Sequence, residues 1–276
     1  MKRPNPPDSL ADLDWPNAVR IGEQFGMASE LWRIGDRVVK HAYRESDADR
    51  EAAFYARWAP QCEGVHMPRL HRRDGAWLVM DWIDGDPGDC VVGVGAERAD
   101  AVADALRAIA RVVPSDSAPE GLRTILPKAE EMGARIETGL PHLLRHFPLA
   151  EEMVRDLPQR AATAVHRLES APGVLCHADF HAENIIFQPG RAVILDWPNA
   201  GWAPAGFDVT RFIVEGLADP ASWRSWAPHG VDEVMDTANL ILGYFTTSQW
   251  LKADRLQPRQ HDLLRAALAR FHILFD

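Results

Sequence analysis

Cysteine is scarce in this chain, and the three present, Cys62, Cys90 and Cys176, are an odd number at no paired spacing. That indicates neither a disulfide framework nor a cysteine-based metal site. Long apolar runs are missing too. No stretch approaches the roughly 18 uninterrupted apolar residues of a bilayer span, and the start, Met1-Lys2-Arg3-Pro4-Asn5-Pro6-Pro7-Asp8, has no apolar signal-peptide core. Membrane spanning and classical secretion are therefore not expected, and a reducing cytoplasm is. Positive charge is the third shortage. A formal net charge of -10 argues against nucleic acid as the main partner, because phosphate backbones are bound by basic surfaces. Internal repeats and low-complexity tracts are also lacking.

What is present suits a globular enzyme. The 276 residues can bury a substantial core, and 46% hydrophobic with 25% charged residues is ordinary for a soluble protein. Residues 86–276 carry -8 of the -10. An acidic cleft there would attract cations, although excess acid also serves solubility.

The decisive stretch runs from Gly173 to Trp197. Val174–Cys176 is a buried apolar run, Asn184–Phe187 a second, Pro189-Gly190 a turn and Ala192–Leu195 a third. Between the first two sit His177, Asp179, His181, Glu183 and Asn184, and Asp196 follows the third. Carboxylates at both ends of an apolar strand pair need a reason to be there. Phosphoryl transfer offers one, because it asks mainly for placement: a carboxylate to receive an alcohol proton, and an amide plus a second carboxylate to hold Mg2+. Asp179, Asn184 and Asp196 are such a trio. Zinc ligation by His177 and His181, four apart on a loop, is the weaker reading.

The pattern His177-x-Asp179-x-x-x-x-Asn184, followed by Ile194-Leu195-Asp196-Trp197, resembles the catalytic and metal-binding loops of the aminoglycoside phosphotransferase and choline kinase-like family, relatives of the protein kinases. Ala178 stands where that family commonly has glycine. The resemblance implies an α+β, bilobal protein-kinase-like fold, with a small antiparallel-sheet lobe bearing one helix and a larger, mainly helical lobe. It implies ATP and Mg2+ as cofactors. Asp179 is then the proton acceptor, His177 orients the loop, Asn184 and Asp196 hold the metal, and Asp208 supports the loop from a helix start.

Upstream, residues 1–15 read as an extended arm. Arg20-Ile21, Glu30–Ile34 and Arg37–Ala42 are strand-like, the last two joined by a Gly35-Asp36 turn of the type with glycine first. The span from Gly22 to Ser29 could cover a triphosphate with its amides and the Ser29 hydroxyl. Lys40 sits on the third strand. Ser46 reads as an N-cap, and the helix through Trp58 carries Glu51. By resemblance Lys40 and Glu51 are the phosphate-binding pair, with Glu45, Asp47 and Asp49 as competing acids. Arg69–His71 and Ala76–Met80 form a hairpin across Asp74-Gly75. The resemblance makes Asp81, Trp82 and Ile83 the hinge that reads adenine, with the lobes divided as 1–85 and 86–276.

Beyond the hinge, Ala101, Val102, Ala105, Leu106, Ile109 and Val113 recur at helical spacing. Helices are also expected over Leu144–Leu157, Ala161–Leu168, Val231–Leu251 and His261–Phe275. The acceptor is expected to be a small hydroxyl compound, cationic and aminoglycoside-like. It would be gripped by Glu215, Asp219, Asp232, Glu233 and Asp236, by Trp202, Trp223, Trp226 and Trp250, and by the chain end at Asp276. Antibiotic resistance would follow from such an activity. The alternatives are a metabolic kinase for choline, homoserine, a sugar or a macrolide, and a nucleotide-binding pseudokinase. Oligomeric state is not legible.

Overall fold

The computed structural model describes residues 6–21, 29–112, 123–225, 231–247 and 256–275. Strands β1 (Val19–Ile21), β2 (Ser29–Ile34), β3 (Arg37–Ala42), β4 (Leu70–Asp74) and β5 (Trp77–Asp81) form one antiparallel sheet in the order β1-β2-β3-β5-β4. Gly35 takes φ +61° at the first corner of the β2–β3 hairpin while Asp36 stays out of the left-handed region, as a glycine-first turn requires.

Alternation along the strands gives the sheet two apolar faces. Ala42, Leu78 and Met80 pack under helix α1 (Glu45–Arg57) with Ala48. Val39, Trp32, Trp77 and Val79 face the other way. Because Lys40 pairs with Leu78 and lies between Val39 and His41, it shares the α1 side. Ser46 is not the cap of α1: the helix starts at Glu45, Arg44 is the cap residue, and no side chain caps it.

Residues 6–15 depart from the extended arm. Asp8–Leu10 and Trp15–Asn17 form tight 3-10 turns. Leu10 and Trp15 are buried against the outer sheet face. Trp32 and Trp77 stack at 5.7 Å, and Trp15 meets both edge-on. Three indoles bury too much apolar area for the Pro- and Asp-rich composition to keep this segment in solvent.

The remainder is mostly helical: α2 (Ala96–Ala110), α3 (Ala129–His146), the single turn α4 (Glu151–Val154), α5 (Leu157–Leu168), α6 (Gly206–Glu215), α7 (Val231–Thr246) and α8 (Pro258–Phe275). The expected helix Leu144–Leu157 does not form as one piece. α3 ends at His146, and Pro148 holds the residue before it away from helical geometry. α3 itself escapes the sequence pattern because Gly133, Gly139 and Pro141 interrupt it. Gly139 has a packing reason: a Cβ there would lie 1.9 Å from the Thr246 carbonyl oxygen of α7. No helix among the described residues is long and apolar enough to cross a membrane.

Two small sheets frame the decisive stretch. One has the order β10 (Arg191–Ile194), β9 (Ile185–Gln188), β6 (Asp86–Pro87); the other runs β7 (Arg123–Thr124), β11 (Gly201–Pro204), β8 (Gly173–Cys176). The Pro189-Gly190 hairpin is therefore β9–β10, with Gly190 at φ +72°. β8 belongs to the other sheet, so residues 177–184 bridge two sheets.

Candidate active site

The β9–β10 register sets Ile185 opposite Ile194, which places Asn184 beside Leu195; the Leu195 amide donates to the Asn184 carbonyl at 2.9 Å. Asp196 is the next residue, so the hairpin itself carries the amide and the second carboxylate to one edge. Asp196 has φ +65°, a left-handed conformation rare outside glycine, asparagine and aspartate. That turn aims its carboxylate at the sheet, where Lys40 Nζ donates to Asp196 Oδ1 and, at 2.6 Å, to Glu51 Oε2. Glu51 Oε1 accepts the Trp197 amide at 3.3 Å. Of the four acids at the start of α1, Glu51 is thus the one on Lys40.

Lys40 and Glu51 are buried, whereas the Asp196 side chain is 43% exposed. Burial alone would pull the Lys40 ammonium down and push the Glu51 carboxyl up. Two carboxylates on one ammonium reverse the first effect, so Lys40 titrates above its ordinary value and stays charged. Phe54 of α1 stacks on Trp197 at 4.2 Å with the rings 6° from parallel, and both are fully buried.

The bridging loop is held from behind. Asp208, in the first turn of α6, accepts the His177 amide at 2.6 Å and the Ala178 amide at 2.8 Å, and burial pushes its carboxyl up to about 7. Ala178, at φ +66°, bends the chain here without a glycine. His177 is fully buried. Its Nδ1 accepts the Asp179 amide at 3.3 Å and its Nε2 donates to the Leu195 carbonyl at 2.8 Å, so the ring locks the loop to the strand end. Burial depresses it to about 4, which makes it a neutral spacer near pH 7.

Asp179 faces an ionic cluster that the sequence reading missed. Its Oδ1 accepts from Arg211 Nη2 at 2.8 Å, and its Oδ2 from Asn199 Nδ2 at 3.4 Å. Arg211 Nε stands 2.5 Å from Glu215 Oε2, too bent for a hydrogen bond but close enough for an ion pair. Burial would raise the Asp179 carboxyl, but Arg211, His181 and His177 outweigh it and hold the group below the usual carboxylate range. The available signal was spacing: Arg211 is three residues past Asp208, hence on the same helix face. Asn184 donates its side-chain amide to the Asp179 carbonyl at 2.9 Å, so its Oδ1 takes no part in that bond.

At the hinge, the Asp81 amide donates to Arg69 O at 3.1 Å and the Trp82 amide to Asp36 O at 2.9 Å. Among the described residues, those bonds engage the Asp81 and Trp82 amides and not that of Ile83. The Asp81 carboxylate is taken by Arg37 and His71, and the Trp82 ring lies under Arg33 at 4.4 Å. Ser29 opens β2 and is buried. The preceding residues 22–28 lie outside the described residues.

The acids expected to grip an acceptor are not gathered together. Glu215 pairs with Arg211, Glu233 accepts the Gly206 amide at 2.7 Å, and Asp236 pairs with Arg167 at 3.2 Å. Asp219 accepts the Ala221 amide in a turn, and Asp232 is exposed on α7. The Trp202 ring covers Gly173, where a Cβ would meet its Nε1 at 2.1 Å. Trp226, Trp250, Asp276 and the side chain of Trp223 lie outside the described residues.

Comparison with known proteins settles the family. The phosphotransferase enzyme family matches residues 28–253, most of the chain. The chain belongs to the phosphotransferase enzyme family. A similar family member is the viomycin phosphotransferase of Streptomyces vinaceus, 25% identical over 193 residues, 65% of this chain. The match spans 64% of that relative's length. Among solved structures, ADP-bound aminoglycoside phosphotransferase APH(2'')-Ib superposes with a TM-score of 0.62 at 16% identity, covering 95% of this chain and 94% of the other. A choline/ethanolamine kinase family protein from Mesorhizobium loti gives 0.57 at 19% identity, covering 98% and 91%. At these identities the likeness establishes the fold, and it is the bilobal kinase-like α+β fold expected from the catalytic-loop motif. In this phosphotransferase-family chain, Asp196 meets the lysine–glutamate pair directly, and Asn184 links the strand end before Asp196 to the loop carrying Asp179.

Proposed function

We propose that the protein transfers the γ-phosphoryl group of ATP to a hydroxyl of a small, cationic acceptor, in the presence of Mg2+. The observation that carries this reading is the meeting of Asp196 with the Lys40–Glu51 pair, one strand-end away from Asn184 and Asp179. The donor set suits the cofactor: Asn184 Oδ1 and the Asp196 carboxylate are hard oxygen ligands of the kind Mg2+ takes. When bound, Mg2+ would supply neutralisation of phosphate charge.

The chain's own residues supply the rest. Lys40, held by Glu51, binds the phosphates of the nucleotide. Asp179, kept ionised by Arg211, receives the acceptor's proton and aims its oxygen. His177 and Asp208 hold that carboxylate in place. The Ile83 amide reads the base at the hinge, and the lobes divide at residue 85. The active protein is cytoplasmic.

An amine-bearing antibiotic is the favoured acceptor, because the helical part carries the chain's acidic excess and the similar proteins include a viomycin phosphotransferase. A metabolic amino alcohol is the second reading. It is favoured by the engagement of Glu215, Glu233 and Asp236 within the protein, which leaves fewer carboxylates for a polycation. ADP release from Mg-ATP, measured against aminoglycosides, viomycin, a macrolide, choline and simple alcohols, tests both. We expect turnover with one amine-bearing member, and Asp179→Asn to lower kcat by roughly 10²–10⁴-fold with Mg-ATP binding retained. ATP binding without ADP release on any acceptor would overturn the assignment.

A further inference from the structure

Three side chains with no direct part in the proposed transfer gather beside the bridging loop. Cys90 Sγ lies 3.7 Å from His181 Nδ1, and a Glu183 carboxylate oxygen falls with them inside a 4.8 Å group. The backbone builds this meeting. Gly88 donates its amide to the Ile185 carbonyl at 2.9 Å, and a Cβ at Gly88 would lie 2.2 Å from the Ala182 oxygen. Only glycine lets the segment carrying Cys90 settle directly on the loop carrying His181 and Glu183.

We propose that Cys90, His181 and Glu183 form a site for a soft or borderline divalent cation such as zinc, and that filling it restrains the active loop. Thiolate, imidazole and carboxylate are the three ligand types zinc takes. Bonds of about 2.3 Å to sulfur and 2.0–2.1 Å to nitrogen at tetrahedral angles put those two atoms roughly 3.5 Å apart. The observed 3.7 Å is nearly that edge. Three protein ligands leave the fourth position to water, and partial exposure of His181 and Glu183 gives entry. On binding, the thiol proton goes to solvent, and Arg259, now on Glu183 Oε1, shares that carboxylate with the metal.

The link to the active loop is the other ring nitrogen. His181 Nε2 accepts from Asn184 Nδ2 at 3.1 Å and stands 3.9 Å from Asp179 Oδ2. With a metal on Nδ1, the ring proton must sit on Nε2. Nε2 then ceases to accept from Asn184 and becomes a donor toward Asp179. One ion would thus disturb both the amide proposed to hold Mg2+ and the proposed proton acceptor.

This restraint rests on the proposed kinase activity, but the binding does not, and cadmium separates them. Titrating the full-length, metal-free protein with Cd2+ should give one equivalent with a thiolate-to-cadmium ultraviolet band. Cys90→Ser should abolish the band, and Glu183→Gln should weaken binding by at least about tenfold, the lower end of what even outer-shell changes cost. Zn2+ at equal occupancy should slow ADP release in the parent protein and spare Cys90→Ser. Absence of the band, or its persistence in Cys90→Ser, would overturn the site. A band without slowing would overturn the coupling. A zinc-free protein inactive with Mg-ATP and every acceptor would refute the kinase reading and leave the cadmium result standing.

Discussion

Arg211 and Asp179 are joined by a 2.8 Å hydrogen bond between partly buried charges, and Glu215 stands on the other side of the same guanidinium. The consequence is a carboxylate, the one proposed to accept the proton, that stays ionised although burial opposes it. Removing the cation by Arg211→Ala leaves two carboxylates facing each other, so the Asp179 carboxyl must rise. The acid limb of the kcat–pH profile should then move to higher pH, by about one unit or more for a lost contact worth about 1.4 kcal/mol or more. Arg211→Lys should restore part of the shift. An unmoved limb would show that Arg211 serves only the fold.

Lys40 and Glu51 make a second test, because a buried ion pair behaves differently when halved than when replaced. Lys40→Met strands Glu51 and should destabilise the protein by about 3–5 kcal/mol, while Lys40→Met with Glu51→Leu should recover most of that. Neither variant should bind ATP with the parent affinity. Urea unfolding and nucleotide titration together read the two effects.

His177 predicts a pH dependence of stability. Its folded value of about 4 lies below the 6.5 of an unstrained imidazole. The unfolded chain therefore takes up a proton first as pH falls, and stability present above 6.5 is lost toward 4. Between pH 7 and 5 this amounts to about 2 kcal/mol. His177→Gln should lose less stability than the parent over that interval. The comparison cancels Asp208, whose elevated value acts with opposite sign. Equal losses would contradict the buried, neutral assignment.

Ala178 predicts an order of stabilities. At φ +66° it bears left-handed strain of about 1–2 kcal/mol, partly balanced by the freedom glycine regains on unfolding. Ala178→Gly should match or modestly exceed the parent in Tm. Ala178→Val should fall by about 1–3 kcal/mol, since a branched side chain tolerates this conformation poorly. Thermal melts of the three proteins decide it.

Much of this was legible from residue order. The third strand was legible with Lys40 on it, the family resemblance paired that lysine with Glu51, and the short β9–β10 hairpin fixes how Asn184 and Asp196 are carried to one edge. What escaped the reading depends on distance across the fold. Arg211 looks like any helix cation until α6 is seen to run behind the loop. Leu10 and Trp15 are hidden in a polar, proline-rich context, and only Trp32 and Trp77 on the sheet give them a place to bury. α3 is masked by Gly139, which is there for α7 rather than for α3. The acids proposed for the acceptor were chosen by composition, and composition does not reveal that Glu233 caps a helix or that Asp236 meets Arg167.

The flat contact between Phe54 and Trp197 has a pharmacological consequence. It clamps the helix bearing Glu51 to the segment bearing Asp196, and both rings are out of reach of water. An inhibitor that works by levering that helix outward would first have to prise the two rings apart. Compounds aimed instead at the segment proposed to read adenine, Asp81 to Ile83, would leave that contact intact.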